Sequence, residues 1–352
     1  MQKPLVLVSN RLKINEPSGL KQLDDVAPRQ DYVEIAKQLE GSLVGYDLSD
    51  AIWYRWTRQF EKRLKLDLME SLFAAIQCSK HNVVLSTSEK IAIPLAALLS
   101  ITKCKTPHIV IAHKLSSGLK TYLFRILQVH ETFSHVICVC RAQVDYAINQ
   151  LEIPESRVDF VYDKVDHRFF HPLKVDTGDY ILAVGQEQRD YKTLLRAIAG
   201  ANIKLVVVAS SPWSTSQIRM DEIGEVTILS HIPYQELRTL YAQARLVVIP
   251  LFAVDYAAGV NTVLEAMAMA KPLIISRTRG ITDYVVHNET GLYVSPGDAA
   301  ELRDTVLSLW GQANELKRLG TNARQTVEEC MNLDIYVDQV VRIVRKILRL
   351  QC

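Results

Sequence analysis

The chain alternates short, almost wholly apolar runs with longer segments in which apolar positions return every three or four residues. PLVLVS (4–9), NVVLST (82–87), HIVIAH (108–113) and HVICVC (135–140) are the strand-like runs of the first half. YILAVG (180–185), KLVVVAS (204–210), VTILS (226–230), RLVVIP (245–250) and PLIIS (272–276) are those of the second. Between them, segments such as KTLLRAIAGA (192–201) and YQELRTLYAQA (234–244) carry the helical period. Apolar runs without polar alternation, separated by amphipathic helices, predict parallel strands covered on both faces. The pattern restarts near residue 179, after HRFFHPLKVDTGD. We therefore expect an α/β chain of two doubly wound domains, with ligands bound at the carboxyl ends of the strands.

Composition narrows this picture. With 352 residues, 48% of them apolar, the chain can fill two ordinary cores. A net charge of +2 gives no footprint for nucleic acid. The six cysteines form no CxxC pair, and Cys138 and Cys140 alternate on one strand face, so reduced thiols and a cytoplasmic setting are expected. The opening KPLVLVSN is too short for a leader. IAIPLAALLSI (91–101), the longest apolar run, falls short of the about 18 residues of a membrane span. The sequence shows neither a His/Cys cluster nor an Asp-x-Asp pair in its second half, so no metal and no cofactor are expected.

Two stretches carry candidate chemistry. In DYAAGVNTVLEAMAMAKPLIIS (255–276) a loop of small residues enters an apolar helix. Thr262 and Glu265 have capping-box spacing, which predicts a helix from Thr262. The small loop lets backbone N–H groups approach a ligand, and a helix N-terminus favours an anion such as phosphate. Glu265 reads either as a cap or as an acceptor for hydroxyls such as those of a ribose. In YILAVGQEQRDYKTLLRAI (180–198) a strand ends at Gly185, a short polar loop carries Arg189 and Lys192, and a helix follows, with Asp190 placed to cap it. Arg189 can pair with a diphosphate, an interaction worth about 1.5–3 kcal/mol when well placed. The bland alternative is a solvated basic loop.

Together these pieces resemble the retaining GT-B glycosyltransferases of family 4 (glycosyl transferases group 1) over nearly all of residues 160–330. VYDKVDHRFFHP resembles the family's V-x-N-G-V-D-x-x-x-F-x-P segment. HIPYQELRTLYAQARLVVIP resembles its Tyr-Ala helix and following strand, GVNTVLEAMAMAKPLIIS its donor loop and helix, and ETGLYVSPGDAAELRDTVLSL its N-G-x-L-V-x-P-G-D segment. The resemblance implies two Rossmann-like domains, 1–172 for the acceptor and 173–334 for the nucleotide-sugar, facing an inter-domain cleft. Residues 335–352 would form a helix crossing back to the first domain. It implies that Glu265 holds ribose hydroxyls as the second acid of E-x7-E. Gly185, Gly259 and the backbone of Val260, Asn261 and Thr262 would cradle sugar and phosphate, with Arg189 on the diphosphate and His113 reaching the donor sugar. His113 also reads as a satisfied histidine at a strand end. Retention would let the departing phosphate help deprotonate the acceptor, with no protein nucleophile.

The chain also departs from this pattern. Ala257 stands where the first acid is expected, with Asp255 two residues away as a candidate substitute. Gln186 or Glu187 stands where the family's arginine would be, with Lys192 as its candidate replacement, and VSNRLKINEPSG lacks the usual glycine pair. The expected function is transfer of a sugar from a nucleotide-sugar, UDP being the family's commonest, to a hydroxyl of a glycan, lipid or small molecule. A catalytically inactive binding or scaffold subunit, or a sugar-nucleotide epimerase, are the alternatives. IWYRWTRQFEKRLKLDLMESLF (52–73) interleaves Trp53, Trp56, Phe60, Leu64 and Leu68 with basic residues. That pattern suits either an anionic membrane surface on the cytoplasmic side or a helix packed on the sheet.

Overall fold

A computed structural model describes residues 2–9, 25–45, 61, 66–116, 121, 124, 129–209 and 225–350. The segment 52–65, apart from Glu61, lies outside the described residues, so the aromatic-and-basic reading of 52–73 is represented only from Leu66 onward. The chain divides into two compact units, one of residues 1–19, 29–161 and 336–352, the other of 20–28 and 162–335.

In the first unit β1 (Lys3–Leu7), α1 (Asp31–Leu39), β2 (Ser42–Val44), α2 (Leu68–Gln77), β3 (His81–Ser86), α3 (Glu89–Thr102), β4 (His108–Ala112), β5 (Phe133–Cys138), α4 (Arg141–Asn149) and β6 (Val158–Phe160) follow in order. The strands form a parallel sheet in the order β2-β1-β3-β4-β5-β6. The second unit contributes β7 (Tyr180–Val184), α5 (Tyr191–Ile198), β8 (Lys204–Val208), β9 (Val226–Leu229), α6 (Tyr234–Gln243), β10 (Leu246–Ile249), α7 (Val260–Ala268), β11 (Leu273–Ser276), β12 (Leu292–Val294), α8 (Ala299–Trp310) and α9 (Ala313–Cys330). Its parallel sheet runs β12-β11-β10-β7-β8-β9. The last helix, α10 (Leu333–Arg349), rejoins the first unit from Tyr336 onward. Both sheets are Rossmann-like, as the alternating pattern predicts.

The nine runs read from the sequence are all strands. The pattern missed β2, β6 and β12, three-residue strands that each close a sheet edge. A short edge strand needs no run buried on both faces, so it leaves little periodic signal. Among the described residues no helix is long and apolar enough to cross a membrane. Cys78 and Cys104, 26 residues apart, bring their sulfur atoms together, with Cα atoms 7.2 Å apart, wider than the ordinary span of a disulfide. Their spacing matches no local motif, so only the fold reveals the pair.

Side chains close the helix ends of the second unit. Asp190 accepts a bond from the Thr193 N–H (3.1 Å) and so caps α5, as its position predicts. Asp298 caps α8 through the N–H groups of Ala300 (3.0 Å) and Glu301 (2.9 Å). Lys271 donates to the carbonyls of Ala242 (2.5 Å) and Ala244 (3.0 Å) at the end of α6, where a cation complements the helix dipole. Arg324 of α9 binds the carbonyls of Ala268 (2.6 Å) and Phe170 (2.8 Å), fastening the 162–178 segment and the end of α7 together. Gly320 lets α9 come close: a Cβ there would lie 2.1 Å from the Ala270 carbonyl oxygen. Gly320→Ala should therefore destabilise the protein by about 1–2 kcal/mol, because backbone overpacking outweighs the helix propensity that alanine gains. Denaturant titration checks this, and an unchanged or raised midpoint would show that the two segments part freely.

Candidate functional site

The second sheet changes direction at β7: β8 and β9 lie to one side of it and β10, β11 and β12 to the other. Loops leaving adjacent strands at such a point diverge and leave a crevice at the carboxyl ends. Here they are 185–190 after β7 and 250–259 after β10. Each loop holds the other, since Asp190 N–H donates to Pro250 O and Phe252 N–H to Gln188 O, both at 3.0 Å.

Arg189 sits at their junction with 9% of its surface exposed. Its Nε donates to Val184 O (2.9 Å), Nη1 to Glu187 O (3.0 Å) and Nη2 to the Thr262 hydroxyl (3.0 Å). Three of five guanidinium N–H groups thus have acceptors among the described residues. Two glycines make room for this group. A Cβ on Gly185 would come within 2.6 Å of Nη2, and one on Gly259 within 2.9 Å of Nη1. Both also have positive φ, +104° and +82°, which disfavours any residue with a Cβ. Burial pulls the Arg189 pKa below its ordinary value. The neighbouring Tyr191 and Tyr241 hydroxyls and the Glu187 and Glu265 carboxylates oppose that shift.

The helix beside Arg189 corrects one expectation. α7 starts at Val260, not Thr262, with Gly259 at its N-cap and no side-chain cap. Thr262 and Glu265 do not form a capping box. The Thr262 hydroxyl is taken by Arg189, and Glu265 receives the Tyr241 hydroxyl at 2.9 Å. The N–H groups of Asn261 and Thr262 find no backbone acceptor among the described residues, as expected of a first helical turn. Val260 and Thr262 are buried and Asn261 is exposed.

Glu265 lies half-buried one turn into α7. Burial raises its pKa to about 7, against the opposing hydrogen bond from Tyr241 and the charge of Arg189. Tyr241 is itself fully buried on α6 and packs edge-on against Phe170. Tyr241 is the tyrosine of the Tyr-Ala helix in HIPYQELRTLYAQARLVVIP, to which the sequence alone gives no role; it lies 24 positions before the acid it contacts.

The remaining sequence candidates are distributed unevenly. Ala257 is buried, and the backbone of Tyr256 passes so close to Gly280 that a Cβ there would lie 2.0 Å from the Tyr256 carbonyl carbon. Asp255 is half-buried in the same loop. Tyr256 donates its hydroxyl to Glu187 at 2.7 Å, a further tie between the two loops. Lys192 is exposed in the first turn of α5 and makes no hydrogen bond or ion pair among the described residues. His113 belongs to the first unit, half-buried one residue beyond β4. Among the described residues no group of three or more His, Cys, Asp or Glu could hold a metal ion.

Comparison with known proteins bears on this arrangement. Residues 179–312 match the family described as Glycosyl transferases group 1. The chain is 24% identical over 231 residues to the MMP alpha-(1->4)-mannosyltransferase of Mycolicibacterium hassiacum, covering 62% of this chain and 56% of that protein. It is 25% identical over 172 residues to the D-rhamnosyltransferase WbpZ of Pseudomonas aeruginosa, covering 48% and 42%. The chain thus spans about half the length of these curated relatives. Among solved structures, Anabaena HepE in complex with UDP-glucose superposes with a TM-score of 0.74 at 14% identity, covering 98% of this chain and all (100%) of that one. Sucrose-phosphate synthase from Thermosynechococcus elongatus does so with a TM-score of 0.74 at 16% identity, covering 99% and 100%. These likenesses establish the GT-B fold.

The state of Glu265 has a measurable consequence. Its folded pKa of about 7 exceeds the ordinary 4.5, so the native state holds a proton that the unfolded state releases between those values. Stability present at low pH is therefore lost as pH rises through that window. Glu265→Gln should be more stable than the parent at pH ~8, by on the order of 1–3 kcal/mol, with the gap closing toward pH ~4. Thermal melts at both pH values check this, and a gap that ignores pH would mean that the carboxylate is well solvated.

Proposed function

We propose, from the match of residues 179–312 to the family described as Glycosyl transferases group 1, that the chain is a retaining glycosyltransferase. It takes a sugar from a nucleotide-sugar donor, a UDP-sugar first among the candidates, and passes it to an acceptor hydroxyl. The observation that carries this reading is the clasp of Arg189 between Gly185 and Gly259 beside the first turn of α7. A diphosphate placed there would meet the two guanidinium N–H groups that have no acceptor among the described residues, and the N–H groups of Asn261 and Thr262. These are preorganised donors for the charge that grows as the bond to the anomeric carbon breaks. Glu265, with one oxygen turned to Tyr241 and the other free of donors among the described residues, suits the paired hydroxyls of a ribose. UDP and UDP-glucose are what the HepE structures hold; that supports a UDP donor here.

In this scheme Arg189 and the α7 terminus stabilise the leaving diphosphate, and the departing phosphate oxygen takes the acceptor proton. His113 is assigned to the donor sugar, Lys192 to the outer face of the phosphate loop, and the backbone of Gly259 and Val260 to the sugar's edge. Asp255 is the acid nearest in sequence to the position held by Ala257. The proposal requires no metal or organic cofactor. One observation favours the alternative of a donor-binding subunit without catalysis: the buried methyl of Ala257 offers no hydrogen bond to a donor sugar.

Purified protein should be tested with UDP-, GDP- and ADP-sugars for thermal stabilisation and slow donor hydrolysis. One donor should stabilise and be hydrolysed. Glu265→Ala should lose at least about tenfold in donor affinity, and Arg189→Met about a hundredfold in hydrolysis, as expected for a charge-assisted bond that strengthens in the transition state. Stabilisation without hydrolysis, even with added acceptor alcohols, would support the non-catalytic alternative. Failure of every donor to bind would refute both readings.

A further inference from the structure

The outer face of α10 is predominantly cationic, with one acid, Asp338, one turn before the first cation. Arg342, Arg345, Lys346 and Arg349 are all exposed and recur at i, i+3, i+4 and i+7. At about 100° per residue they share one arc of roughly a quarter turn. Val337, Val340, Val341, Val344 and Ile347 occupy the opposite, buried side. Among the described residues none of the four cations has a carboxylate partner: Arg345 donates instead to the Gln38 carbonyl at the end of α1 (2.9 Å). The single acid on the stripe, Asp338, is held by the Gln38 amide (2.9 Å).

An ordinary solvated helix face looks different in this same protein. On α9, Arg318 pairs with Glu315 (2.5 Å) and Arg324 with Glu328 (2.7 Å), so positive and negative charges alternate. Four cations against one acid on this face of α10 leave a mutual repulsion that a solvent-facing role does not call for. The stripe also borders a groove of about 590 Å³ lined by Gln38, Asp338, Val341 and Leu350 together with the four cations. Leu350 is 78% exposed at its end. Cations in a row beside accessible apolar surface match the headgroup layer of an anionic bilayer, where phosphates meet the basic side chains and an aliphatic group enters the acyl boundary.

We infer that the α10 stripe is a docking surface for an anionic membrane. It is distinct from the segment 52–73, and it needs no donor, so it stands or falls separately from the proposed transferase activity. The test is sedimentation of the intact chain with phosphatidylcholine vesicles, with and without about 40% phosphatidylglycerol. The parent should bind the anionic vesicles only, and should release from them at high salt. The combined variant Arg342→Gln, Lys346→Gln and Arg349→Gln leaves the Arg345 contact to α1 intact, and an unchanged melting temperature verifies its fold. Its partition should fall tenfold or more. Equal sedimentation of parent and variant, or no binding of the parent, would overturn the inference. So would retention on heparin without vesicle binding, which would assign the stripe to a soluble polyanion.

Discussion

One guanidinium ties together the end of β7, the loop after it and the first turn of α7. Arg189 bonds to Val184 O, Glu187 O and the Thr262 hydroxyl, and it fills the space that two glycines leave empty. Any Cβ at Gly185 or Gly259 would displace it. A charge buried to this degree is costly unless its hydrogen bonds are made. The surrounding polypeptide meets that cost with two carbonyls and a hydroxyl, set by the end of β7, the loop after it and the first turn of α7. The loop conformation, the helix start and the sheet's switch point are therefore parts of one arrangement.

The same arrangement leaves its acid in a poor environment. Glu265 is pushed up to about 7 by burial, with the Tyr241 hydroxyl and the Arg189 charge only partly offsetting this. A carboxylate held this way works against stability at neutral pH. Tyr241 contributes from α6, so the helix before β10 shapes the site as much as the loop after it. Lys271 and Arg324, through the carbonyls they bind at the ends of α6 and α7, hold those helices in register with each other.

The contrast between α9 and α10 extends the same reasoning to the surface. Both are long amphipathic helices with charged outer faces, yet α9 pairs its cations with acids of its own and, among the described residues, the α10 stripe does not. Intramolecular packing accounts for the apolar side of α10 and for Arg345. Among the described residues Arg342, Lys346 and Arg349 make no hydrogen bond or ion pair.

The sequence alone determined the layer architecture, because strands buried on both faces must be continuously apolar and their helices must carry a 3.6-residue period. It also determined the two stretches where chemistry concentrates, since glycines, small residues, Arg189 and Glu265 stand out against apolar strands. It left β2, β6 and β12 unseen, for an edge strand of three residues imposes no such pattern. Only the tertiary structure decided what Thr262 and Glu265 do. A T-x-x-E spacing is a local signal for a cap, but Arg189, 73 residues away, takes the hydroxyl, and Tyr241 takes the acid. Cys78 and Cys104 were beyond reach for the same reason. Local propensity reports what a segment prefers by itself, whereas a buried polar group is committed to whichever partner the fold delivers.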